Sequence, residues 1–266
     1  MPSPDKYTAE KILWIHPWAP NLFSFRLTRY RGFRFVPGQF ARLGVKKPDP
    51  DNPKNPSGEK IAWRAYSIVS ADFDEHLEFY SIVVPGGEFT SELARLKVGD
   101  TVYVEKTNYG FMTADRFESG KDLWLLSTGT GLAPFLSMLW DLKNWEQYEH
   151  IIVVHSVRYP NELAYADAIA AFRTHPAFAG QGHKLHYVPV VTRTPVEGAL
   201  NARITGLIDS GALESHLGLM LDRDRARIMI CGNPEMVDAT RKLLGARGFT
   251  TSRRGQPGNM AVENYW

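Results

Sequence analysis

Cysteine is almost missing from these 266 residues: Cys231 stands alone. That excludes an internal disulfide and a Cys-rich zinc site. It also excludes a built-in iron–sulfur cluster, which takes several Cys thiolates, so any iron–sulfur partner is a separate protein. The eight His residues show neither HxxxH nor HExxH spacing, and no metal site is expected. No uninterrupted apolar stretch approaches the roughly 18 residues of a membrane helix. Met1 to Glu10 is polar and lacks the charged-then-apolar order of a signal peptide. The expectation is a soluble, cytoplasmic monomer. An excess of one charge is missing too: the net charge is only +2, so nothing global argues for nucleic acid.

What is there suffices for two domains, each with its own core. The first half reads as short strands rich in β-branched and aromatic residues, over Leu22–Thr28, Phe33–Val36, Gln39–Val45, Trp63–Val69, Leu77–Val84 and Asp100–Lys106. Such runs at short spacing predict an antiparallel β-barrel, interrupted by one helix over Thr90–Leu96 with Thr90 or Ser91 as N-cap. From Lys121 the rhythm changes. Apolar runs at Leu123–Ser127, Ile151–Ser156, Leu185–Val191 and Arg227–Ile230 alternate with helical patterns at Pro134–Trp145, Glu162–Thr174 and Glu235–Arg247. That alternation predicts an α/β domain with a parallel sheet. The boundary is expected near Asp115–Gly120, giving domains 1–117 and 118–266. Lys46–Lys60, rich in Pro and charge, reads as an exposed loop.

Four segments carry chemistry. Arg64-Ala65-Tyr66-Ser67 offers a cation, an aromatic ring and a hydroxyl on alternating sides of a strand. That suits a flavin nucleotide, although any half-buried strand can hold an Arg–Tyr pair. Pro85-Gly86-Gly87-Glu88-Phe89-Thr90 lets backbone approach a ligand ahead of a helix start, a ready place for pyrophosphate. A tight strand-to-helix turn explains the same residues. Ser127-Thr128-Gly129-Thr130-Gly131-Leu132-Ala133-Pro134-Phe135 follows the first parallel strand, as a dinucleotide loop does, with Pro134 in place of a third glycine. Cys231-Gly232-Asn233-Pro234-Glu235-Met236 again ends a parallel strand, where ligands of open α/β sheets bind. A buried lone cysteine is ordinarily an inert small hydrophobe; at a strand end it could line a nicotinamide pocket.

R-A-Y-S, V-P-G-G-E-F-T, G-T-G-L-A-P-F, C-G-N-P-E-M and a terminal V-E-N-Y-W occur in this order. The chain thereby resembles the ferredoxin–NADP⁺ reductase family, most closely its bacterial ferredoxin/flavodoxin branch, over nearly its whole length. The resemblance implies FAD in the barrel and NADP(H) in the α/β domain, with the C-terminal tail over the flavin. Arg64 to Ser67, Ser81-Ile82-Val83 and Glu88-Phe89-Thr90 would hold FAD. Thr130 would touch both cofactors. Tyr265 would cover the flavin and Trp266 the adenine end of FAD. Gly129, Gly131, Cys231, Gly232 and Asn233 would line the NADP site. Ser67, Cys231, Glu263 and Tyr265 would form the hydride-transfer site, with Tyr265 moving aside as a gate.

Preference for NADPH has a separate argument. A 2′-phosphate calls for cationic, preferably bidentate partners. Arg158 after Val157, Arg193 after Thr192, and Arg203 follow the strand ends where adenosine would lie. Arg26, Arg29, Arg31, Arg34 and Arg42 surround the first strands. They either steer an acidic carrier or protect a strand edge by charge. Arg253 and Arg254 are candidates for NADP or carrier contact. The expected partner is ferredoxin or flavodoxin. The rival readings are a reductase serving an oxygenase or another acceptor, and a non-catalytic flavin-binding relay subunit.

Overall fold

The computed structural model describes residues 6–49, 58–253 and 255–264. The chain divides into two compact units, Met1–Gly110 and Phe111–Trp266. In the first, β1 (Tyr7–Ala19), β2 (Leu22–Thr28), β3 (Phe40–Pro48), β4 (Glu59–Ser67), β5 (His76–Ile82) and β6 (Thr101–Tyr109) form one sheet in the order β4-β3-β6-β1-β2-β5. Every pairing is antiparallel. The outermost strands meet through an Ile68–Phe79 bridge, and the Val69 N–H donates to the Glu78 carbonyl at 2.8 Å. The sheet thus closes into the expected barrel. Its inner face packs Phe25, Leu27, Ala41, Leu43, Phe79, Val102 and Val104, the alternate residues of their strands.

Two strand expectations need correction. Phe33–Val36 is not a strand: Phe33 and Phe35 are buried in the core from a loop pinned by turns, Phe33 N–H to Tyr30 O and Gln39 N–H to Val36 O. Conversely, β1 comes from a stretch whose charged and Pro-containing sequence hides its period-two burial. The Lys46–Lys60 segment is partly ladder, since Lys47 pairs with Lys60 and Pro48 with Glu59. Lys46–Glu59 and Lys60–Asp49 ion pairs brace it. The first unit's helix, α1, spans only Thr90–Leu93, with Phe89 rather than Thr90 or Ser91 at its N-cap.

In the second unit, β7 (Asp122–Thr128), β8 (His150–Val157), β9 (Leu185–Val191), β10 (Ala226–Gly232) and β11 (Met260–Asn264) form a parallel sheet in the order β11-β10-β7-β8-β9. One face packs Trp124, Leu126, Ile152, Val154, Ile228 and Ile230 on α5 (Ile204–Asp209), α6 (Ala212–Leu217) and α7 (Pro234–Ala246). Alternate residues such as Leu123, Leu125, Val153 and Met229 are buried on the other face. That face is left to α2 (Ala133–Leu139), α3 (Leu142–Gln147) and α4 (Ala166–Phe172), where Trp145 stacks on Phe178 with ring centres 4.5 Å apart. Burial on both faces explains the near-continuous apolar strands.

The helix expected over Pro134–Trp145 is broken. Asp141 accepts a hydrogen bond from the Lys143 N–H and starts α3, while Asn144 and Trp145 side chains donate to the Met138 and Leu139 carbonyls that end α2. The helix expected over Glu162–Thr174 begins only at Ala166, after a 3₁₀ turn at Pro160–Glu162. The short α5 and α6, and β11, had no separate sequence signal.

Candidate functional site

In the first unit, β4 ends on the R-A-Y-S segment. Its register sets Tyr66 opposite Ala41 and Arg64 opposite Leu43, so both lie on the side that carries the core. Tyr66 packs against Phe89 at 5.3 Å, and its hydroxyl is 2.8 Å from Ser81 Oγ. Burial pushes its pKa up to about 12, so the phenol stays neutral. Arg64 and Ala65 are exposed. Ser67 lies opposite Phe40 and is 4% exposed. Its Oγ has no hydrogen-bond partner in the protein. An unsatisfied buried hydroxyl costs stability unless a ligand supplies the partner.

The P-G-G-E-F-T segment forms the turn after β5. Gly87 N–H donates to the Val84 carbonyl at 2.9 Å, and Thr90 Oγ accepts from the Val84 N–H at 3.0 Å. The threonine hydroxyl therefore holds the turn instead of capping the helix. Ser91 N–H bonds back to the Gly87 carbonyl, so the N–H groups of Glu88, Phe89 and Thr90 stand ahead of the bonded turn, the usual position of donors a helix leaves over. Lys47 ion-pairs with Glu88 at 2.9 Å and lowers its carboxyl pKa. Ser81 is buried, and Ile82 and Val83 are half-buried, the latter tied to the Asn21 carbonyl.

In the second unit the two glycine motifs meet. Strands β7 and β10 are neighbours with Ser127 beside Cys231, so the loops at their carboxyl ends pack together. A Cβ on Gly131 would fall 2.4 Å from the Cys231 carbonyl oxygen. Gly232, at φ +133°, would place one 2.2 Å from Thr128 Oγ. Only glycine fits either position. Thr128 Oγ accepts from the Asn233 N–H at 2.9 Å, and the Asn233 side chain accepts from Glu235 and Met236 N–H groups as the cap of α7. Pro134 lies in the first turn of α2.

Glu263 stands beside Cys231 on β11 and accepts from the Phe111 N–H at 3.2 Å. A row thus crosses four strands at their carboxyl ends: Glu263, Cys231, Ser127 and His155. Cys231 is fully buried. His155 was not foreseen. Fully buried, it has its imidazole pKa lowered to about 4 by desolvation, so it is neutral. The Tyr187 hydroxyl lies 3.5 Å from its Nδ1.

Arg158, Arg193 and Arg203 are all exposed. The Thr192 and Arg193 N–H groups donate to the Val157 and Arg158 carbonyls at 3.0 Å, which sets the first two arginines side by side past β8 and β9. Leu200 is tied to the end of β9 through the Pro189 carbonyl and Val191 N–H, holding Arg203 nearby at the start of α5. Glu162 anchors Arg158, accepting from its backbone N–H at 2.9 Å and approaching its guanidinium at 3.4 Å.

The basic residues of the first strands have internal partners. Arg26 pairs with Glu78 and Arg42 with Glu105, while Arg29 and Arg34 donate to backbone carbonyls. Arg31 and Arg253 are exposed. Tyr265, Trp266 and Arg254 lie outside the described residues.

Comparison with known proteins agrees with this arrangement. Residues 125–242 match the oxidoreductase NAD-binding domain family. The chain is 43% identical to ferredoxin–NADP reductase of Pseudomonas aeruginosa over 96% of its own length and 95% of the relative's. It is 35% identical to the flavodoxin/ferredoxin–NADP reductase of Buchnera aphidicola, covering 98% of this chain and 100% of that one. Among solved structures it is similar to a ferredoxin–NADP⁺ reductase of Neisseria gonorrhoeae with bound FAD and NADP. There the TM-score is 0.88 and the identity 36%, with 98% of this chain and 99% of that one covered. With its glycine loops, barrel and parallel sheet matched across whole chains at these identities, this protein belongs to the ferredoxin–NADP reductase family.

Proposed function

We propose that this chain is an FAD-dependent oxidoreductase that exchanges electrons between NADPH, as hydride, and ferredoxin or flavodoxin, one electron at a time. Likeness along whole chains to relatives named for that reaction carries the reading. The residues present fit the two cofactors. Ser67 offers a buried hydroxyl with no partner in the protein, and Gly131 and Gly232 sit where any side chain would close the loops at the sheet's carboxyl edge.

The first unit takes FAD and the second NADP(H). Bound FAD supplies the conversion between a hydride's electron pair and single electrons. The protein's residues bind and orient. Tyr66, neutral at every ordinary pH, offers a ring face, and Arg64 a cation for pyrophosphate. Ser67 donates to the flavin's nitrogen edge. Glu88, Phe89 and Thr90 offer backbone N–H groups to phosphate oxygens, and Ser81, Ile82 and Val83 run beside the same cofactor. Gly129, Thr130 and Gly131 pass the NADP pyrophosphate, while Cys231, Gly232 and Asn233 border the nicotinamide, with Glu263 beside Cys231. Arg158, Arg193 and Arg203 grip the 2′-phosphate, with Val157 and Thr192 forming the strand ends beneath them.

The protein acts as a monomer in the cytoplasm. Among the described residues no helix is long and apolar enough to cross a membrane. An anaerobic visible spectrum before and after NADPH, and separately NADH, tests the reading. A flavin spectrum bleached much faster by NADPH is expected. Equal bleaching by NADH would remove the phosphate-site assignment, and no flavin after reconstitution with FAD would overturn the whole.

A further inference from the structure

The two histidines at the amino ends of β8 and β9 have no part in this chemistry. His150 and His186 lie 36 residues apart in sequence, yet His150 Nδ1 is 3.0 Å from His186 Nε2. They share one face of the sheet: His186 pairs with Ile152, which points the same way as His150. The cofactor loops leave the opposite ends of these strands, about 20 Å away at ~3.3 Å per residue. Both rings are half-buried, so solvent reaches them.

We propose that His150 and His186 form a bidentate site for a late first-row divalent cation, Cu²⁺ or Ni²⁺, at the amino edge of the parallel sheet. Imidazole nitrogens bind such metals at about 2.0–2.1 Å, so a pair 3.0 Å apart subtends roughly 95° at the ion. That is the angle between neighbouring ligands of the tetragonal geometry Cu²⁺ and Ni²⁺ favour. No group of three or more ligating side chains occurs among the described residues, so water completes the coordination. In the neutral pair one ring donates a hydrogen to the other, and the tautomer decides which. On binding, the ring that donates it moves its proton to its other nitrogen, and both lone pairs then face the cation. The rings are tilted by 53°, and rotation about each side chain's last torsion brings the lone pairs together.

Asp122, next to His150 on β7, is held by Arg225 through two bonds of 3.0 and 3.1 Å. It acts as a fixed carboxylate behind the site and not as a ligand.

Calorimetric titration of the full chain with Cu²⁺ and with Ni²⁺ tests this. Wild type should take up one equivalent that His150→Asn and His186→Gln each lose, because a second ligand on a rigid frame strengthens binding by about a hundredfold. Substituting the exposed His216 by Gln should leave that equivalent in place. Should a variant fail to fold, substoichiometric Cu²⁺ added to wild type with ¹⁵N-labelled imidazoles should broaden the His150 and His186 signals first. Unchanged uptake in both variants, or equal broadening of all histidines, overturns the proposal.

Discussion

Ser67 and His155 are both buried, but opposite consequences follow. The Ser67 hydroxyl has no protein partner, so removing it takes away no internal bond. Ser67→Ala should therefore leave the melting temperature unchanged or slightly higher. Hydride transfer from NADPH should slow about tenfold, the loss of one hydrogen bond of ~1.4 kcal/mol. A fall in melting temperature alongside the rate would mean the hydroxyl is structural. His155 is held neutral, its pKa lowered to about 4, against an ordinary value of about 6.5 in the unfolded chain. Below pH 6.5 the unfolded state takes up a proton that the folded state refuses. Stability from this residue is therefore complete above that pH, and it falls progressively between 6.5 and 4. The loss amounts to about 3 kcal/mol. Urea unfolding at pH 7 and pH 5 should show a steeper loss for wild type than for His155→Gln, and parallel losses would contradict the assignment.

At the scale of elements, the loops after β7 and β10 behave as one unit. Gly131→Ala forces a Cβ against the Cys231 carbonyl, a backbone atom that cannot turn aside. A loss of about 1–3 kcal/mol is expected, together with weakened NADP⁺ binding, measurable by unfolding and by difference spectroscopy. Asn233→Ala removes the cap of α7 and should cost about 1 kcal/mol. These loops were legible in the sequence because close backbone approach leaves glycine no alternative, and because each follows an apolar run that could only be a buried strand. β1 was hidden because His16, Pro17 and alternating charges mask its burial. Phe33 and Phe35 misled in the opposite sense, as aromatic residues that fill the core from a loop. The break between α2 and α3 depends on the Asn144 and Trp145 side chains reaching back to carbonyls, which periodicity does not reveal. His155 and the His150–His186 pair were invisible for a further reason: strand register alone brings them to their neighbours.

For the whole molecule, the proposed preference for NADPH is assigned to exposed arginines at the ends of β8 and β9 and the start of α5. Arg158→Gln and Arg193→Gln should each raise the KM for NADPH about tenfold, the effect of one charge-assisted bond, with little change for NADH. Equal effects on both nucleotides would remove the 2′-phosphate from the account. Because Arg26, Arg29, Arg34 and Arg42 have internal partners, their first duty is to the barrel. The most direct test of the central claim is anaerobic oxidation of NADPH by this protein with a purified ferredoxin or flavodoxin as sole acceptor. The account predicts two carrier molecules reduced by one electron each for every NADPH consumed. NADPH oxidation that leaves the carrier oxidised and passes electrons only to free flavin or oxygen would contradict it.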